Sequence, residues 1–395
     1  MEKVVSADSD SKTPTYVIIT SLLFWCALIV VSSVYIMTPL VGTLVSEFHV
    51  SQTMATWTSS IFSLFYGLGF LLFGPLSDRF GRKPIIVFGL CVLTVVTVFI
   101  GFTTEFYLLV ILRGVQGLVS ATFAPAALAY VFDVYPKERL VTTIGFISFG
   151  FLTAGIFGQV FAGVINQIFD WNTVFLFFGG MYFCTIIAVI LILPSTKNHV
   201  TDVSVSNFLK QTMSIFTQKN FLLCYGITLM LLLTFIGMYT VFGDYLSGAI
   251  FNLSKKEILV VRAAGLIGMI LSPFTGIFVK RYGLLLILKM GLALSVVGLL
   301  VLGFSHNLFI IVSMSVVYVA GISLTFPAIM TLIGELGGAT RAIAASFYTF
   351  ILFIGATVGP IVAITIMQTG SYVLTFGMLA LLLSIGLAAS FFIKY

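Results

Sequence analysis

Long apolar runs alternate with short polar segments along this chain, and neither an amphipathic helix nor an alternating strand gives that pattern. The first run begins near Pro14 and continues to Leu44 without a charge. A hydrocarbon layer about 30 Å thick is crossed by roughly twenty apolar residues in a helix. Twelve such runs can be laid on the chain, over 14–40, 53–76, 84–103, 106–132, 140–166, 171–194, 220–247, 256–279, 284–304, 307–334, 342–367 and 371–393. The expected fold class is an all-α membrane protein of twelve transmembrane helices in two six-helix bundles. Residues Met1 to Thr13 are polar and mixed in charge, and no small-residue cleavage site ends the first run, so no signal peptide is expected.

Charge gives the topology. With the N-terminus placed in the cytoplasm, fifteen lysines and arginines fall in cytoplasmic segments; Lys255, Lys256 and Arg262 fall in an outer loop, and Arg113 is left inside a span. Cytoplasmic loops are the ones that accumulate cations, so both termini are expected in the cytoplasm. The longest polar stretch between runs is 195–219. It separates a tail (1–13) and a first bundle (14–194) from a second bundle (220–395). Ser206 to Phe216 within it reads as a short amphipathic helix on the membrane surface. The halves echo one another: Gly74, Arg79 and Gly81 after the second run correspond to Gly276, Arg281 and Gly283 after the eighth. A parallel repeat of this kind is the architecture of a two-bundle rocking transporter.

Composition sharpens the class. The chain is 60% hydrophobic and 8% charged, with a mean hydropathy of +1.19; a soluble domain carries about 25% charged residues. The net charge of +6 lies in short tracts between the runs, which argues for lipid and against nucleic acid as its partner. Cys26, Cys91, Cys184 and Cys224 all lie in apolar runs and His49, His199 and His306 in connections. No disulfide framework, metal site or cofactor is therefore expected, and no G-x₄-G-K-[ST] phosphate loop is present. An enzyme or receptor would need a Ser/His, paired-Asp or metal cluster in the spans, and none is there.

The sharpest motif is Gly74-Pro-Leu-Ser-Asp78-Arg79-Phe-Gly81-Arg82-Lys83. It resembles the signature loop G-x-L-x-D-R-x-G-R-K of the major facilitator superfamily, and the resemblance extends over about 14–393. Within that superfamily the chain looks like the twelve-helix bacterial drug:proton antiporters and related arabinose-efflux-type exporters. That resemblance implies a monomer in the bacterial inner membrane. It also implies a conformational latch at Gly74, Asp78, Arg79, Gly81 and Arg82 that holds the bundles together on the cytoplasmic side; a purely topological anchor is the plainer reading. In the second repeat Lys280 stands where the acid would be, so the two loops cannot be equivalent.

Arg113, in Leu112-Arg113-Gly114-Val115-Gln116-Gly117, lies about 10 Å below the expected outer end of the fourth helix. Facing lipid there would cost several kcal/mol or more, so it is expected to face the cavity between the bundles, with Gln116 and Ser120 on the same helical face; snorkelling outward is the alternative. The resemblance implies a part in proton coupling. The fifth run is glycine-rich but has Gly158-Gln159 where family antiporters carry Gly-Pro, which leaves transport direction open. No acid lies between Tyr16 and Ser46. Asp244, near the outer end of the seventh helix, is the candidate titrating group, with Arg262 or Arg113 as partner; a solvated loop acid is equally compatible. By resemblance the cavity is walled by helices one, four, seven and ten, which makes Trp25, Tyr35, Tyr239 and Tyr318 candidate substrate contacts beside the alternative of core or lipid-facing aromatics. The expected function is secondary active, proton-coupled efflux of small, partly hydrophobic molecules. The alternative is a carrier dedicated to one metabolite, such as a sugar, an amino-acid derivative or a metallophore.

Overall fold

A computed structural model of the chain describes residues 8–195, 214–368 and 370–394. Residues 206–213 of the surface helix expected over Ser206–Phe216, and most of the 195–219 connector, lie outside these residues; 214–217 are helical. The first half contains α1 (Asp8–Tyr35), α2 (Val41–Phe48), α3 (Gln52–Phe80), α4 (Arg82–Gly101), α5 (Phe106–Ser120), α6 (Phe123–Val134), α7 (Lys137–Ile168) and α8 (Trp171–Ile192). The second contains α9 (Lys219–Ser247), α10 (Lys255–Met269), α11 (Leu271–Tyr282), α12 (Leu284–Phe304), α13 (Leu308–Gly337), α14 (Arg341–Met367) and α15 (Tyr372–Ser390). No strand occurs among the described residues.

Among the described residues, twelve stretches are long and apolar enough to cross a membrane, from Tyr16–Tyr35 to Tyr372–Ser390. Every boundary but one falls within four residues of the expected spans. The exception is the first, which ends at Tyr35 instead of 40. There the chain turns over 36–40 and restarts as α2, because Pro39 has no N–H to continue the ladder.

Two spans are each made of two helices, and proline places both breaks. Proline clashes with the carbonyl four residues before it. Four residues before Pro125 stands Ala121, where α5 gives way to α6. Four before Pro273 stands Met269, the last residue of α10. Pro327 sits inside α13, 202 residues after Pro125, the same interval that relates Gly81 to Gly283.

The repeat is also visible in backbone geometry. Gly81 has φ 92°, ψ 151°, and Gly283 has φ 85°, ψ 156°. Both reversals use a region essentially reserved for glycine. Gly81→Ala should therefore lose about 1–3 kcal/mol of stability, read as a lower Tm of the purified protein with wild-type helicity; an unchanged Tm would refute the strain argument.

The chain divides into two compact units, Met1–Lys137 with Gly150–Thr201 and Glu138–Phe149 with Asp202–Tyr395. The expected first bundle ran unbroken over 14–194, yet Glu138–Phe149 of α7 groups with the second unit. Small residues permit this: the Ser272 hydroxyl donates to the Gly145 carbonyl at 2.9 Å, and a Cβ on Gly276 would stand 1.9 Å from the Thr142 hydroxyl.

Candidate functional site

In the first unit the centre is Arg113. It is fully buried, yet its charge is met by oxygen dipoles instead of a carboxylate. Nε donates to the Thr58 carbonyl at 3.2 Å, Nη2 to the Ser33 carbonyl at 3.0 Å, and Nη1 to Gln116 Oε1. The guanidinium also lies over the Phe62 ring, 4.3 Å from its centroid, where the ring quadrupole attracts a cation. No ion pair to Arg113 occurs among the described residues.

The local sequence explains how α3 comes so close. Gly117 follows Arg113 by one turn of α5, and a Cβ there would stand 2.2 Å from the Phe62 carbonyl oxygen. The glycine thus lets the α3 backbone approach and slides the Phe62 ring beneath the guanidinium. Gln116 extends the network, donating through Nε2 to Thr97 Oγ1 at 2.7 Å. Ser120 caps the same face by donating to the Gln116 carbonyl at 2.7 Å. Ser33 ties in a tyrosine: its hydroxyl and that of Tyr182 are 2.5 Å apart, and Tyr182 donates to the Ile29 carbonyl at 3.2 Å. Three of the five guanidinium donors are engaged, so two remain for a further acceptor.

The two candidate aromatics of the first unit, Trp25 and Tyr35, each have partners of their own. The Trp25 indole turns toward α8, donates to Thr185 Oγ1 at 3.0 Å, and lines an apolar groove of about 740 Å³ with Phe177 and Met181. Tyr35 is half-buried and packs against Leu28, Val31 and Ala154.

In the second unit Tyr318 is fully buried, and its hydroxyl donates to Thr234 Oγ1 at 3.2 Å. Its ring stacks on Phe235 at 6.5 Å, and Phe235 meets Tyr239 edge-on at 5.2 Å. Asp244, the expected titrating acid, is exposed and forms no ion pair among the described residues. Its proposed partner Arg262 binds the Tyr239 carbonyl instead, Nη2 to oxygen at 2.9 Å.

Arg262, tallied with the outer-loop cations although the expected span 256–279 contains it, is half-buried in the candidate span Val260–Tyr282. The signal was available: four apolar residues, Ile258 to Val261, precede it. Arg113 and Arg262 are each the eighth residue of their helix.

The signature loop is built around Arg82. Its guanidinium pairs with Asp78 one turn earlier, with Asp133 at the end of α6 at 3.1 Å, and donates to Ser77 Oγ at 2.8 Å. Arg82 is buried and both carboxylates are largely covered. Gly74 is buried at the last turns of α3. Lys83 Nζ donates to the Ile190 carbonyl in α8 at 2.8 Å. Arg79 differs from its neighbours: it is exposed and lies 5.3 Å from the ring of Phe80. Asp133, at the end of α6, is thus a third member of the ionic cluster. No group of His, Cys, Asp or Glu among the described residues could hold a metal ion.

Residues 23–336 match the family model described as Major Facilitator Superfamily. The chain belongs to this superfamily. Its relatives within the superfamily include an uncharacterized transporter of Buchnera aphidicola, 26% identical over 79% of this chain and 74% of that one. The MFS-type transporter YybF of Bacillus subtilis is 24% identical over 88% and 86%, and the multidrug resistance protein MdtG of Proteus mirabilis 26% over 78% and 79%. Among solved structures, the human organic anion transporter MFSD10 superposes with a TM-score of 0.75 at 16% identity, covering 95% of this chain and 99% of that one. The proton:xylose symporter XylE gives 0.73 at 14%, covering 97% of each. At these identities the superpositions establish the major facilitator fold.

Proposed function

We propose that this superfamily transporter is a secondary active exporter that moves small, partly hydrophobic molecules out of a bacterial cell in exchange for protons, by alternating access and as a monomer. The observation that carries this reading is the buried polar network around Arg113, whose charge is held without a carboxylate. A cation so deep in a membrane span is costly unless it serves a polar pathway. The relationship to a multidrug resistance protein supports efflux of apolar molecules, and the cation distribution supports cytoplasmic termini. In this reading the Asp78–Arg82–Asp133 cluster is the cytoplasmic latch, and Asp244 is the acid that exchanges protons.

Proteoliposomes with an imposed pH gradient test the coupling. An acid-inside gradient should drive uptake of ethidium, and a protonophore should abolish it. Uptake that survives the protonophore refutes proton exchange. Asp244→Asn should leave binding intact and remove the dependence on the gradient.

A second reading, a carrier of one metabolite, is favoured by a specific observation. Among the described residues no Asp or Glu is buried, so no acid sits deep in a span to carry protons. Loss of an extracellular metabolite pool on deletion, with unchanged drug sensitivity, would select it.

A further inference from the structure

Two glycines in the second unit make room for a cation whose hydrogen bonding is incomplete. A Cβ on Gly243 of α9 would stand 2.5 Å from Arg262 Nη2, and a Cβ on Gly265 of α10 would stand 2.3 Å from the Tyr239 hydroxyl. Any larger side chain at either place would displace the guanidinium or the phenol. Between them the Arg262 guanidinium makes one hydrogen bond, to the Tyr239 carbonyl. Its Nε is buried and has no partner among the described residues, and no carboxylate lies within ion-pair distance. The Tyr239 hydroxyl likewise has no hydrogen bond among the described residues, while its ring packs edge-on against Phe235 at 5.2 Å and Phe242 at 6.3 Å.

The N-terminus of α10 is fixed independently of this pair. Ser254 Oγ donates to Glu257 Oε2 at 2.7 Å, the Ser254 amide donates to the same oxygen at 2.8 Å, and the Glu257 amide returns a bond to Ser254 Oγ. These bonds hold the Glu257 carboxyl below its usual range. The acid beside α10 is thus already committed to capping its helix, and Asp244 is turned out to solvent. Arg262 therefore stands as an uncompensated cation at the edge of an aromatic cluster, the chemistry that recognises an acid on an apolar body.

We propose that Arg262 and the Tyr239 hydroxyl form a subsite for the anionic group, a carboxylate or similar oxyanion, of an amphipathic molecule that this protein transports. The proposal rests on the transporter reading and adds amphipathic acids to the apolar molecules it carries. A phospholipid headgroup presents the same oxyanion chemistry, and the test separates the two sources.

The probes are 4-butylbenzoate and its neutral counterpart 4-butylbenzamide, titrated into purified protein in detergent free of anionic lipid. Wild type should bind the anion about tenfold more tightly or better, the worth of a charge-assisted hydrogen bond. Arg262→Gln should erase that preference and leave amide affinity unchanged. Arg262→Lys should keep part of it, and Tyr239→Phe should reduce it. A wild type that binds neither probe or prefers neither, or an Arg262→Gln variant that weakens both equally, would overturn the subsite. So would an Arg262→Gln variant that loses phosphatidylglycerol in native mass spectrometry while binding 4-butylbenzoate normally. Equal binding of acid and amide with gradient-driven ethidium uptake intact would remove the subsite alone. Failure of the gradient with a retained acid preference would remove proton exchange alone.

Discussion

Replacing Arg113 by alanine should abolish transport while leaving the protein in the membrane. The substitution removes one charge and three hydrogen bonds: the Ser33 and Thr58 carbonyls each lose a side-chain donor, and Gln116 Oε1 loses the guanidinium. Each buried group left without its partner costs about 1–3 kcal/mol. A loss of about 3 kcal/mol at the transport step is roughly a hundredfold in rate. Arg113→Lys is the sharper variant. It keeps the charge over Phe62, but an ammonium lacks the planar fork that meets three acceptors in different directions. Lysine should therefore restore much of the thermal stability that alanine loses and little of the transport. Efflux normalised to protein in the membrane, measured beside Tm, checks both. Normal transport by both variants would remove Arg113 from the mechanism.

The second large effect is expected at Arg82. In Arg82→Ala the carboxylates of Asp78 and Asp133 would lose the cation they share. Removing one partner of a buried ionic cluster costs about 3–5 kcal/mol; both acids keep some contact with solvent, 22% and 17% of their side chains, so the lower end is expected. The consequence is a fall in Tm and loss of transport. Charge bookkeeping gives a discriminating control: Arg82→Ala combined with Asp78→Asn and Asp133→Asn leaves no repulsion and should recover part of the lost Tm. A triple variant no more stable than the single would show that Arg82 acts by packing rather than by charge.

The two arginines also show where sequence reading succeeds and where it stops. The spans were legible because the lipid interior imposes length and composition on every helix, so their ends follow from apolar runs, prolines and glycines. The loop around Asp78 was legible because its residues are contiguous. Asp133 lies 51 residues from Arg82, and no local pattern announces that the two meet. Its cost in lipid pointed Arg113 toward a cavity between the bundles; the structure shows it fully buried among groups of its own unit. Its partners were not legible, because two of them are backbone carbonyls, which every residue carries. Tyr239 and Tyr318 meet through Phe235, whereas Trp25 turns to α8 and Tyr35 packs on Leu28, Val31 and Ala154. Aromatic rings fill cores, grooves and lipid faces equally well, and only packing separates these uses. Arg262 was misplaced because a cation near a span boundary can be counted on either side when only charge is tallied.

Because carbonyl and amide oxygens hold Arg113, nothing in that coordination can be protonated away between mild acid and mild base. The shell that orients the guanidinium is therefore the same in mild acid and in mild base. Acidifying the medium would leave this shell untouched and would act on the cargo and on groups nearer the surface. With the proton gradient held constant, the pH profile of transport should combine the titration of Asp244 with that of the molecule offered, so that its cargo-dependent part moves from one cargo to the next.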